Sequence, residues 1–196
     1  HRRRRGTRCL HGTAGRGATG VSVVRVLARY RVALGGGMAA MTLWWAHPTP
    51  GSLAAGTLIA ALGQALRLWA AGHVEKSREV TSSGPYRYTR HPLYLGSTLV
   101  GIGVAVAAAN AWLALAILGY LASTLTAAMR AEEAHLREKF GDAYDRYAAK
   151  QAPPSVRSFS WERAWRNREH HAVAGLVAGL SLLALKVWYS QGFVGL

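Results

Sequence analysis

Ser83-Gly84-Pro85-Tyr86-Arg87-Tyr88-Thr89-Arg90-His91-Pro92-Leu93-Tyr94-Leu95-Gly96 is a polar, aromatic loop that runs straight into a long apolar segment. Pro92 marks the join, because a proline is tolerated in the first helical turn, where its missing N–H would have no intrahelical partner. The spacing predicts a helix starting near Pro92, with Arg90 and His91 at its positive end. First-turn N–H groups and the helix dipole favour an anion there. A second polar patch, Ala131-Glu132-Glu133-Ala134-His135-Leu136, follows on the far side of an apolar hairpin. The two patches are expected to meet at a membrane surface and form one active site.

The apolar runs on either side decide the fold class. No Asp, Glu, Lys or Arg occurs between Val32 and Leu66, between His91 and Met129, or between His170 and Leu185. A spanning helix needs about 20 mostly apolar residues. The first two runs are long enough for two spans each and the third for one. The expectation is an all-α, polytopic membrane protein with about five transmembrane helices, near 28–46, 52–71, 92–109, 111–129 and 170–189. Its fourth helix continues into water, giving a cytoplasmic helical extension.

A net charge of +15 in 196 residues invites a nucleic-acid reading. The placement of the charge argues against it. Nine of the 24 Lys and Arg lie in residues 1–31, five in 67–90 and nine in 130–168, leaving only Lys186. Eight of the nine acids share these polar blocks and Glu169 adjoins the last, while the connectors 47–51 and 108–111 and the tail 190–196 carry no formal charge. The positive-inside rule then puts the N-terminus, the 72–90 loop and the 130–168 segment in the cytoplasm and the C-terminus outside. Lys186 snorkels to the outer interface. The single cysteine, Cys9, excludes a disulfide framework and a Cys-based zinc site. The chain starts at His1, as a fragment or a processed end would, and no cleavable signal is evident. Residues 1–24 read as a basic tail, disordered or non-native. Residues 25–196 read as one integral-membrane domain with its core at 51–150.

Within the spans, Gln64 is expected to make an interhelical hydrogen bond, and Ser97 with Gly101 forms a small-xxx-small pair. Beyond the fourth span, Met129, Glu133, Leu136, Phe140, Tyr144 and Tyr147 recur at three- and four-residue steps. Glu133 thus falls on the apolar stripe, a costly place for a charge that has no task. Gly141 interrupts this helix, and Asp142 is expected to cap the next turn. Phe159-Ser160-Trp161-Glu162-Arg163-Ala164-Trp165 fits a segment lying on the inner interface. Tyr86, Tyr88 and Tyr94 offer faces for a cation, and Glu132 and Glu133 can bind an ammonium or sugar hydroxyls. The ligand that suits both patches carries both charges and a planar apolar part.

The pattern Gly84-x-Tyr86-x-x-x-Arg90-His91-Pro92-x-Tyr94-x-Gly96, followed by Glu132-Glu133-x-x-Leu136-x-x-x-Phe140-Gly141-x-x-Tyr144-x-x-Tyr147, resembles the isoprenylcysteine carboxyl methyltransferase family. That family is similar to the phospholipid N-methyltransferases. The resemblance covers about residues 51–150, and the tail resembles bacterial members. It implies S-adenosylmethionine as methyl donor, held at the cytoplasmic face of a bacterial inner membrane. By motif position Tyr86, His91, Pro92, Tyr94, Gly96 and Glu132 would bind the cofactor, with either acid contributing. Arg90 would face an acceptor carboxylate and Glu133 would hold Arg90 in place. The implied partner is a lipid-like or prenylated acceptor entering from the membrane lipids; no nucleic acid and no metal are implied. Carboxyl O-methylation is the first reading and phospholipid-type N-methylation the second. Glu132-x-x-His135 matches only half of a di-iron carboxylate motif. A membrane reductase using a nicotinamide cofactor and a non-enzymatic scaffold are the remaining alternatives.

Overall fold

The computed structural model describes residues 33–75, 80–151 and 156–192, and every regular element among them is helical. The expected tail 1–24, with Cys9, lies outside the described residues. In chain order the elements are α1 (33–45), α2 (Pro50–Ala71), a 3₁₀ turn (Gly84–Arg87), α3 (Pro92–Ala108), α4 (Ala111–Phe140), α5 (Asp142–Ala148), α6 (Trp161–Arg166) and α7 (Glu169–Gly192). Of the five expected spans, α2, α4 and α7 are long and apolar enough to cross a membrane. α3 is apolar but has 17 residues, about 26 Å at 1.5 Å per residue. The first expected span is described only from residue 33.

Local chemistry sets the ends. α2 begins two residues earlier than the sequence suggested. Thr49 caps it, accepting from the Ser52 N–H at 3.1 Å, while the Ser52 hydroxyl accepts from the Thr49 N–H at 2.9 Å. This reciprocal box leaves Pro50 at the first helical position, where it needs no partner. Asn110 starts α4 by accepting from the N–H groups of Trp112 and Leu113, and its amide donates to the Trp45 carbonyl at 3.0 Å. Gly141, at φ +48°, separates α4 from α5 and itself occupies the cap position. Asp142 makes no capping hydrogen bond, so its expected role passes to the glycine, which enters the left-handed region without a Cβ penalty.

α2 and α3 form the central antiparallel pair. A Cβ on Gly56 would lie 2.4 Å from the Gly103 carbonyl, and one on Gly63 would lie 2.7 Å from the Gly96 carbonyl. Glycines spaced by seven on both helices thus let the backbones touch, the association mode available where lipid removes the hydrophobic drive. The expected Ser97–Gly101 pair does not act as one contact. Ser97 bonds Arg67 of α2, while a Cβ on Gly101 would meet Leu121 of α4.

At the uncharged end, Ala46, Ala107, Ala108, Leu113 and Leu183 gather the ends of α1, α3 and α7 and the start of α4. Lys186 donates to the Leu43 and Trp44 carbonyls at 3.0 and 2.9 Å, satisfying the last turn of α1 with a cation. Trp44, Trp112, Trp188 and Tyr189 are exposed near this end, and Trp69, Tyr88, Trp161 and Trp165 near the charged one. Exposed aromatic groups bracketing apolar helices match the two interfaces of a bilayer.

At the charged end, Arg67 of α2 holds Glu169, the first residue of α7, through two hydrogen bonds of 2.8 and 3.2 Å. Gln64 donates to the same carboxylate at 3.3 Å, the interhelical bond expected of it. Glu169 is only 4% exposed. The segment before α7 folds back over the end of α2: Arg163 Nε donates to the Gly72 carbonyl at 2.8 Å, and the Asn167 amide donates to Ala71 at 2.8 Å. These side chains cap carbonyls that the helix end leaves open.

Candidate active site

The 3₁₀ turn and the start of α3 supply one wall of a cavity at the charged end. The charged last part of α4, from Arg130 onward, and α5 supply the other. Gly84 makes the turn possible: it sits at φ +56°, and a Cβ there would lie 2.7 Å from the His73 ring. Pro92 then starts α3 as expected and is buried, with His91 at the cap position making no capping bond of its own. The His91 ring is therefore available elsewhere.

It pairs with Glu133. His91 Nε2 lies 2.8 Å from Glu133 Oε1, and Arg90 Nη1 lies 3.8 Å from the same oxygen. The hydrogen bond with His91 holds the Glu133 carboxyl below its ordinary value, with His91 and Arg90 charges adding to it. The adjacent cavity, about 270 Å³, is lined by Tyr86, Arg90, His91, Tyr94, Glu132 and His135, with Tyr144 and Tyr147 beside them. Glu75 and Thr81 of the preceding loop complete one side. Tyr147 donates to the Tyr86 carbonyl at 3.1 Å, tying α5 to the turn. Burial, first among several causes, raises the Tyr86 and Tyr144 hydroxyls above their ordinary value and pushes Tyr147 up to about 12. All three stay protonated, and so uncharged, at neutral pH.

The structure therefore brings Tyr86, Arg90, His91, Tyr94 and Glu132 to one cavity, with Glu133 joined to two of them. It places the other two sequence candidates differently. Pro92 is buried in the first turn of α3, and Gly96 faces α2, where a Cβ would lie 2.6 Å from Arg67 Cγ. Sequence reasoning missed Tyr144 as a wall residue, although the helical stripe through Glu133 pointed at it. The Tyr144 ring is 1% exposed, and its buried hydroxyl has no hydrogen-bond partner among the described residues. Glu75 and Thr81 gave no sequence signal. No group of three or more His, Cys, Asp or Glu side chains suited to a metal occurs among the described residues.

The sequence model of phospholipid methyltransferase matches residues 31–143, more than half of the chain and both patches. The chain belongs to the phospholipid methyltransferase family. Neither the curated proteins nor the solved structures include a match. Membership, with the apolar helices α2, α4 and α7, makes the chain an integral-membrane methyltransferase. The cavity between the paired motifs brings basic, acidic and aromatic side chains of this methyltransferase together.

Proposed function

We propose that the chain transfers a methyl group from S-adenosylmethionine to a carboxylate on a lipid-like acceptor, at the cytoplasmic face of a bacterial inner membrane. The observation that carries this reading is the convergence of Arg90 and His91 on Glu133 at the edge of an aromatic cavity. The side chains fit the donor. Tyrosine faces accept a sulfonium cation, Glu132 can meet an amino group or ribose hydroxyls, and the Tyr144 hydroxyl lacks a partner that a ligand oxygen or nitrogen would supply. When bound, S-adenosylmethionine supplies an electrophilic methyl group on sulfur.

The chain's own residues do the rest. Arg90, half exposed at the rim, offers a planar fork to the acceptor carboxylate, and Glu133 restrains that fork. An ionised carboxylate is already a nucleophile, so no base is needed; orientation and exclusion of water carry the rate. His91, fixed by Glu133, lines the donor side. The family's phospholipid description favours one second reading, an amine acceptor. An amine must lose a proton, and Glu132, which lines the cavity, is placed to accept it, with Glu133 beside the cavity as the other candidate.

Arg90→Lys keeps the charge and loses the fork. Transfer of labelled methyl to extracted membrane lipids or a prenylcysteine analogue should fall about tenfold or more, about 1.4 kcal/mol in transition-state stabilisation. Cofactor affinity, titrated in parallel, should change little. Transfer at the parent rate would remove Arg90 from the carboxylate and leave the amine acceptor as the better reading.

A further inference from the structure

Two carboxylates line the main cavity, and they have different origins. Glu132 comes from an exposed part of α4, and Glu75 from the loop that follows α2. Only 20% of the Glu75 side chain is exposed. Arg166, the last residue of α6, does not line the cavity but donates to Glu75 Oε1 at 3.1 Å. The Glu75 N–H donates to the Thr81 hydroxyl at 3.5 Å. The backbone before Glu75 is fixed from the same side as its carboxylate. Asn167 donates to the Ala71 and Val74 carbonyls at 2.8 and 3.2 Å, and Arg163 donates to the Gly72 carbonyl at 2.8 Å. The Phe159 ring fills the space that a Cβ on Gly72 would need. These four residues lie beyond residue 143, where the family match ends, yet they hold a wall of the cavity in place.

Arg166 does not cancel the charge that it holds. Its other terminal nitrogen donates to Glu162 at 3.3 Å, so Glu75, Arg166 and Glu162 together carry one net negative charge. Arg166 and Glu162 are both exposed, and water screens them more strongly than it screens Glu75. We propose that Glu75 binds the ammonium of the donor's amino-acid end, and that α6, through Arg166, positions it. The proposal rests on the methyl-transfer reading. S-adenosylmethionine carries this ammonium on the same arm as its sulfonium. An ammonium offers three N–H donors, and a carboxylate accepts them in short charge-assisted bonds. A carboxylate already restrained by an arginine and by its own backbone loses little freedom on binding. Glu132 is then left for the ribose hydroxyls.

The test titrates the full chain in a neutral detergent with S-adenosylhomocysteine and with the analogue that lacks only its α-amino group. The parent is expected to bind S-adenosylhomocysteine about tenfold or more tightly than the deaminated compound. Glu75→Gln should remove that preference by weakening S-adenosylhomocysteine alone. Arg166→Gln should weaken S-adenosylhomocysteine about twofold to fivefold, the range that partly exposed ion pairs contribute, and Arg166→Lys should restore it. A merely structural role for either residue would move both ligands together. Equal binding of the two compounds by the parent, or equal weakening of both by Glu75→Gln, overturns the ammonium site. Parent affinity in Arg166→Gln overturns the positioning by α6. If the parent binds neither compound, the methyl-transfer reading itself falls; if it binds S-adenosylhomocysteine and Glu75→Gln binds it equally well, only the assignment of Glu75 falls.

Discussion

Replacing Glu133 tests the centre of the candidate site most directly. Its Oε1 accepts from His91 at 2.8 Å, and the two side chains are 25% and 18% exposed. A hydrogen bond to a charged group contributes about 1.5–3 kcal/mol when well shielded; this partial exposure brings the expectation down to about 1 kcal/mol. Arg90, at 3.8 Å and 49% exposed, adds a few tenths at most. Glu133→Gln keeps an acceptor oxygen and loses the charge, so thermal unfolding in detergent should start about 2–4 °C lower at neutral pH. In a cycle with His91→Ala the coupling should be about 1 kcal/mol, because either change removes the same bond. The pH dependence has a fixed sign. The native Glu133 carboxyl lies below its ordinary 4.5, so its contribution is complete above that value and disappears as the pH falls through the lowered one. The gap between parent and Glu133→Gln should therefore be present at neutral pH and close in acid. Additive effects of the two substitutions, or a gap that persists unchanged below the native value, would refute the pairing.

Removing one side of the buried pair should cost more. Glu169→Ala leaves the Arg67 guanidinium without its partner in a largely buried place, and a loss of about 3–5 kcal/mol is expected. Arg67→Met with Glu169→Leu should recover most of it; a loss under about 1 kcal/mol from Glu169→Ala alone would show that the pair is solvated. Gly56→Ala and Gly63→Ala should each destabilise by about 1–3 kcal/mol through overpacking, while Gly119→Ala, with nothing within 4 Å of a new Cβ, should change little. For topology, a reporter fused after Leu196 should report the outside and one inserted near Ser155 the cytoplasm. Both on one side would reject the arrangement inferred from charge placement.

Much of this was legible in the sequence because it depends on one-dimensional signals. Charge-free runs set the apolar helices, Pro92 set the start of α3, and a three- and four-residue stripe placed Glu133 on the face that meets His91. Local competition was harder to read. Asp142 is a good capping residue by type, yet Gly141 at positive φ takes the position first. Ser97 and Gly101 have small-xxx-small spacing, yet contact different helices, because sequence spacing does not say which neighbour each residue faces. The Arg67–Glu169 pair joins residues 102 apart, and no local pattern encodes that distance.

Gly96 shows how packing and chemistry are joined in this fold. It lies in the stretch that the family model matches, two residues after Tyr94, and the space of its missing side chain is filled by Arg67 of α2. The close approach that Gly63 and Gly96 permit brings the Arg67 stem against α3. From there its guanidinium reaches both Ser97 and Glu169. A methyl group at residue 96 would push on Arg67 Cγ, and the displacement would be shared between the buried ion pair and the first turn of α3. That turn carries His91 at its cap and Tyr94 within it, so the cavity wall rests on the same contact. A glycine beside a cavity can therefore belong to the helix seam, and the geometry of His91 and Glu133 rests on the contact it makes there.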